Sequence, residues 1–147
     1  MIEKVIKNAH LRLKFRKDME ILFLRWSDRV QGDLLRQGYL GALDFAKEVG
    51  ANFWMYDLRG RGAALPEDEE WILEEFFKKA EATLQGPQYF SYLLSPNHFA
   101  HIQNEVGLDR LSSYGNHTQI KVFMSESEAI NWLLEMKGLP VGVHKEA

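Results

Sequence analysis

The sequence predicts an α/β domain in which a mixed β-sheet carries helices packed on it. Two observations lead there: residues 11–26 have the pattern of a hairpin, and from about residue 30 helical periods alternate with short apolar strands. Leu11-Arg12-Leu13-Lys14-Phe15-Arg16 alternates strictly, so three apolar residues share one strand face and three cations the other. Lys17-Asp18 turns the chain and residues 19–26 supply a second, more apolar strand, giving an antiparallel hairpin with one wet face. Over 30–49 the period is helical, with Leu35, Tyr39, Ala42 or Leu43 and Ala46 on one stripe, and Gly50 is placed to end the helix.

Residues 53–57 read as a buried strand. Pro66 suits the first position of a second helix, with Trp71, Ile72, Phe76 and Ala80 on its core face and Gly86-Pro87 as its stop. An aromatic-rich strand follows at 88–94, then Ser95-Pro96, then a short helix capped by Asn97 and running to about Val106. The polar, turn-rich stretch 107–117 reads as a mobile loop. Residues 118–124 form the last strand, and Ser125 with Glu128 makes a capping box opening a helix through Met136. The predicted order is β-β-α-β-α-β-α-β-α, in a single domain over 1–147 with its core at about 8–136 and a C-terminal tail at 137–147.

Composition narrows the functional classes. Hydrophobic residues at 46% and charged residues at 27% are ordinary for a soluble globular chain. Without cysteine, thiolate catalysis, disulfides and cysteine-based zinc sites are excluded, and a cytoplasmic location is expected. Met1-Ile2-Glu3-Lys4 does not start a signal peptide, and no apolar run approaches the about 20 residues that span a bilayer. The net charge of −3 is unevenly spread: residues 1–29 carry eight Lys/Arg against four acids, while 66–84 carry seven acids against Lys78 and Lys79. That asymmetry reads either as a docking surface, including one for a second copy of the chain, or as two solvated faces. The chain is not basic overall and carries no standard nucleic-acid signature, so nucleic acid is not an expected partner.

The element order, with Val122-Phe123 leading into Glu128-Ala129-Ile130-Asn131-Trp132-Leu133, resembles the STAS domain, the fold of bacterial anti-sigma-factor antagonists. It is similar more narrowly to stand-alone bacterial STAS-like proteins of unknown function. The resemblance covers about residues 8–136 and implies regulation by protein–protein contact. In true antagonists the turn after the central strand carries an Asp-Ser dipeptide whose serine is phosphorylated. The matching positions here are Asp57-Leu58, and leucine cannot accept phosphate. The acids Glu67–Glu70 would also repel a phosphoserine. The resemblance therefore implies docking without the phosphoserine switch.

Ligand sites in α/β sheets lie outside the carboxyl ends of the strands, which singles out the turn Asp57-Leu58-Arg59-Gly60-Arg61-Gly62. Asp57 offers an acceptor, and Arg59 and Arg61 offer planar forks for an anion or for the neighbouring acids Glu67, Asp68, Glu69 and Glu70. Trp26, Asp57, Arg59 and Arg61 are the expected docking or anion-binding edge. Phe76 and Phe77 are adjacent on a helix and cannot both face the sheet centrally, so one is expected at an interface or an apolar pocket, as in lipid-carrier relatives of this fold. His98 and His101 share a helix face, but no further ligand completes a metal set, and they read as surface histidines. No G-x-S-x-G elbow, P-loop or dinucleotide fingerprint is present, so neither a cofactor nor catalysis is called for. A non-catalytic docking domain is the leading expectation, and a binder of small apolar or anionic ligands the alternative.

Overall fold

Six strands pair in chain order into one mixed sheet. The computed structural model describes residues 2–107 and 117–138. Strands β1 (Ile2–Ile6), β2 (Leu11–Arg16) and β3 (Ile21–Trp26) are antiparallel, and β4 (Phe53–Asp57), β5 (Gln88–Leu93) and β6 (Thr118–Phe123) add in parallel. The mixed α/β architecture is the one the periodicity predicts. The sheet gains one strand over the predicted order, because β1 pairs with the outer edge of β2, with Glu3 opposite Lys14 and Val5 opposite Arg12.

Helices α1 (Gly32–Val49), α2 (Pro66–Trp71), α3 (Phe77–Thr83) and α4 (Pro96–His101) form the connections. Each crossover moves one strand in the same direction, and a common hand then places all the connecting helices on one face. That face holds the larger core, built from Leu11, Leu13, Leu22, Leu24, Trp54, Tyr56 and Phe90 of the sheet and Leu35, Tyr39, Phe76 and Phe77 of the helices. Helix α5 (Glu126–Met136) follows the last strand and packs on the opposite face over β4, β5 and β6, where Ala129, Ile130 and Leu133 meet Met55 and Leu93. The same face of β1 and β2 is left uncovered by it.

Most helix ends follow the expected chemistry. Gly50 ends α1 at φ 73°, a left-handed conformation that glycine adopts without cost. Pro66 opens α2, and the Ser125 hydroxyl accepts the Glu128 N–H at 3.3 Å at the start of α5. The cap of α4 is Ser95 rather than Asn97: its hydroxyl accepts the His98 N–H at 3.3 Å, and Pro96 takes the first helical position. The second predicted helix is not uniform. A π-helical turn at Ile72–Phe76 joins α2 to α3, and another at Ile102–Val106 follows α4. The expected loop at 107–117 and the tail at 137–147 fall mostly outside the described residues. Lys137, at the start of that tail, donates to the Glu20 carboxylate at 2.7 Å.

Candidate functional site

Asp57 ends β4 and the chain then turns sharply, the Leu58 carbonyl accepting the N–H groups of Arg61 at 3.2 Å and Gly62 at 2.8 Å. The pleat and this turn divide the predicted edge into two sites on opposite faces of the sheet. Asp57 and Arg59 lie on the side of α5. Trp26 and Arg61 lie on the side of the other helices.

On the α5 side, Arg59 grips Asp57 in a bidentate pair, Nε to Oδ1 and Nη2 to Oδ2 each at 2.9 Å. Arg25, which lies opposite Asp57 in the β3–β4 register, donates to the same carboxylate. Glu126, the first residue of α5, accepts from Arg25 at 2.9 Å and from Arg59 at 3.3 Å. Two guanidiniums and two carboxylates thus neutralise one another. Burial pushes the Asp57 carboxyl up, but the Arg59 hydrogen bonds and the charges of Arg59 and Arg25 outweigh it and hold the carboxyl below its ordinary value.

Beside this network the uncovered sheet face forms a groove of about 520 Å³. Arg12, Lys14, Arg16 and Arg25 line it with Phe23 and Ile130 as apolar surface, and Glu126 stands at the α5 end. A second hollow of about 430 Å³, reaching to Val5 and Lys7, shares Arg12 and Arg25 with the first. Arg16 is held by Asp18 at 2.6 Å and Lys14 approaches Glu3 at 3.8 Å, while Arg12 has no ion pair among the described residues. The result is a basic trough with a greasy floor.

On the other face, Trp26 and Arg61 are buried and have no surface to offer a partner. The Arg61 guanidinium lies 5.1 Å from the Trp26 ring and 5.6 Å from the Tyr39 ring, and its Nη1 donates to the Tyr39 hydroxyl at 2.8 Å. The local pairing of Arg59 and Arg61 with Glu67–Glu70 does not form among the described residues. Asp68 turns inward to the Gly32 N–H at 2.9 Å and to Arg36 at 3.6 Å, and Glu69 meets His101 at 3.2 Å.

Phe76 and Phe77 are both fully buried, which places neither at an interface. The π turn changes the angular step between successive residues, so that both rings enter the core despite their adjacency. Phe76 sets its edge against Tyr39 at 4.9 Å and Phe77 against Phe90 at 5.3 Å, filling the space assigned to a pocket.

His98 is not a surface histidine. It is 5% exposed, and burial, helped by the charges of Arg61 and His101, lowers its pKa to about 4. Between that value and the ordinary 6.5 the unfolded chain binds more protons, so the fold loses stability as pH falls through the window. At pH 5 the loss from this one group is about 2 kcal/mol. His98→Gln is expected to flatten the acid limb accordingly, read as the change in urea midpoint between pH 7 and pH 5. An unchanged limb would contradict the burial. No cluster of three or more metal-ligating side chains occurs among the described residues.

No family model matches the chain, and neither the curated proteins nor the solved structures contain a match to it. Among the described residues no helix is long and apolar enough to cross a membrane. Sequence reasoning missed Arg25 as a partner of Asp57, and Glu126 as the second carboxylate on Arg25 and Arg59. Arg25 was legible as the cation in register with Asp57 once the strands are aligned, and Glu126 gave no signal beyond its place in the first turn of the last helix.

Proposed function

We propose that this is a non-catalytic, STAS-like docking domain whose uncovered basic sheet face takes an acidic segment of a partner protein, without a phosphoserine switch. The observation that carries the reading is the line Arg12, Lys14, Arg16 on the open face of β2, beside a floor of Phe23 and Ile130. Alternate residues of a strand repeat at about 7 Å. An extended segment with acids at every second position has the same repeat, so its carboxylates fall in step with the three cations. Its intervening positions can then serve the partner's own fold or reach Phe23.

Exposed ion pairs contribute only about 0–1 kcal/mol each and are screened by salt, so the expected complex is reversible and salt-sensitive. The Arg25–Asp57–Arg59–Glu126 network supports the reading as a rigid end wall, its charges already spent on one another. The burial of Phe76 and Phe77 weighs against a lipid-carrier pocket at those two rings.

The test is fluorescence anisotropy with a labelled peptide of alternating Glu and apolar residues, against wild type and the double variant Arg12→Glu/Lys14→Glu. Wild type should bind saturably and more weakly as salt rises, and the variant should lose at least about tenfold with its melting temperature unchanged. Equal binding by both proteins would reject the basic face as the docking surface. A second copy of the chain as the occupant would show instead as a dimer of the wild type that the double variant breaks.

A further inference from the structure

On the face opposite the basic trough, a cavity of about 30 Å³ lies between the two helical segments that contain π turns and the sheet. Its polar end is chemically unbalanced. Arg61 is 4% exposed and has no carboxylate partner among the described residues, its guanidinium hydrogen bonds going to the Tyr39 hydroxyl and the Gly62 carbonyl. The Tyr92 hydroxyl and His98 Nδ1 belong to the same lining, are buried, and find no hydrogen-bond partner. A buried cation without a counter-charge and buried hydroxyls without partners are costly unless something else satisfies them.

The rest of the wall is apolar: Leu58, Ala64, Ile72, Leu73, Ile102 and Val106. Four of these six come from the two π turns, Ile72–Phe76 and Ile102–Val106, which lie in different helices and border the same space. Such turns are rare and recur at functional sites. Glu69 also reaches the lining, but its carboxylate is turned to His101 Nε2 at 3.2 Å.

We infer that this cavity is a binding site for a small organic monocarboxylate, with the carboxylate on Arg61 and the Tyr92 hydroxyl and a short apolar tail between the two π turns. One guanidinium and one hydroxyl match a single negative charge. A phosphate would need donors on all sides and would face the six apolar residues and Glu69. As it stands the space takes little more than the carboxylate head, so entry of the tail requires the two π turns to separate. The site is independent of the docking face, and binding here leaves that proposal untouched.

The experiment is a thermal-shift and heteronuclear NMR titration with butyrate, run beside 1-butanol, inorganic phosphate and chloride. Wild type should show saturable stabilisation by butyrate alone, with resonance shifts in both π turns. Tyr92→Phe removes only an unpartnered hydroxyl, so its ligand-free melting temperature should stay within a degree or two while butyrate affinity falls about tenfold. Arg61→Met should abolish butyrate binding, and Tyr92→Phe keeps the test decisive where that variant fails to fold. The inference is overturned if butyrate does not bind saturably, if 1-butanol or phosphate binds as well, or if Tyr92→Phe binds as tightly as wild type. Arg12→Glu/Lys14→Glu should bind butyrate as wild type does, which separates the two sites.

Discussion

Phe77→Ala is expected to lower stability by about 3–5 kcal/mol, the range for removing a fully buried aromatic ring that its surroundings cannot replace. A domain of this size holds only about 5–15 kcal/mol in all, so the variant sits close to unfolding at ambient temperature. Phe77 has no exposed surface, packs edge-on to Phe90 at 5.3 Å and touches Phe76 at 5.3 Å, so the lost contacts come from sheet and helix together. Urea unfolding with the wild-type m-value checks the magnitude. A residue at a subunit interface would behave differently, leaving monomer stability within about 0.5 kcal/mol and changing the oligomeric state. The same measurement therefore separates a core ring from a docking ring.

Gly60→Ala is the second large effect, and it bears on both candidate sites. A β-carbon at position 60 would stand 2.3 Å from the Trp26 carbonyl oxygen and 3.3 Å from its carbonyl carbon. Both are backbone atoms at the end of β3, which is paired on both sides, so the Asp57–Gly62 turn has to move instead. Forced overpacking costs about 1–3 kcal/mol, and a clash with fixed backbone belongs at the upper end, about 3 kcal/mol. The turn carries Arg59 to one face and Arg61 to the other. Its displacement should therefore disorder the Asp57–Arg59 pair and shift the guanidinium stacked on Trp26, read as altered tryptophan fluorescence. A variant as stable as wild type, with unchanged fluorescence, would contradict this packing.

How much of this was legible in the chain depends on which physical signal each part gives. The hairpin was legible because Leu11–Arg16 has one wet and one dry face, and the exposed Arg12 side of β2 is the consequence. Strand β1 was not, since Ile2, Val5 and Ile6 follow no period of two and its residues are exposed or half-buried. Its order comes from the backbone edge of β2, a partner that no local pattern announces. Phe76 lies on the core face as its spacing predicts, but the burial of Phe77 beside it was not legible, because a regular helix turns about 100° per residue and a π turn is invisible to that period.

The charged turn was legible, but not the way its residues divide between the two faces of the sheet. Position in an α/β sheet pointed to the Asp57–Gly62 turn, which holds the Asp57–Arg59 ion pair and the Arg61–Tyr39 hydrogen bond. Its division between two faces follows from the pleat that sends Asp57 one way and the return of the chain that sends Arg61 the other. His98 was read as exposed because a short polar helix gives no sign that one of its faces meets Arg61 across a cavity.

Whether the open basic face is the docking surface is decided by chemical-shift mapping of the acidic peptide on the labelled protein. Shifts are expected at Arg12, Lys14, Arg16, Phe23, Arg25 and Ile130, diminishing as salt is raised. Shifts gathered on the acidic helical segment 66–83, or none at peptide concentrations in the millimolar range, would contradict it.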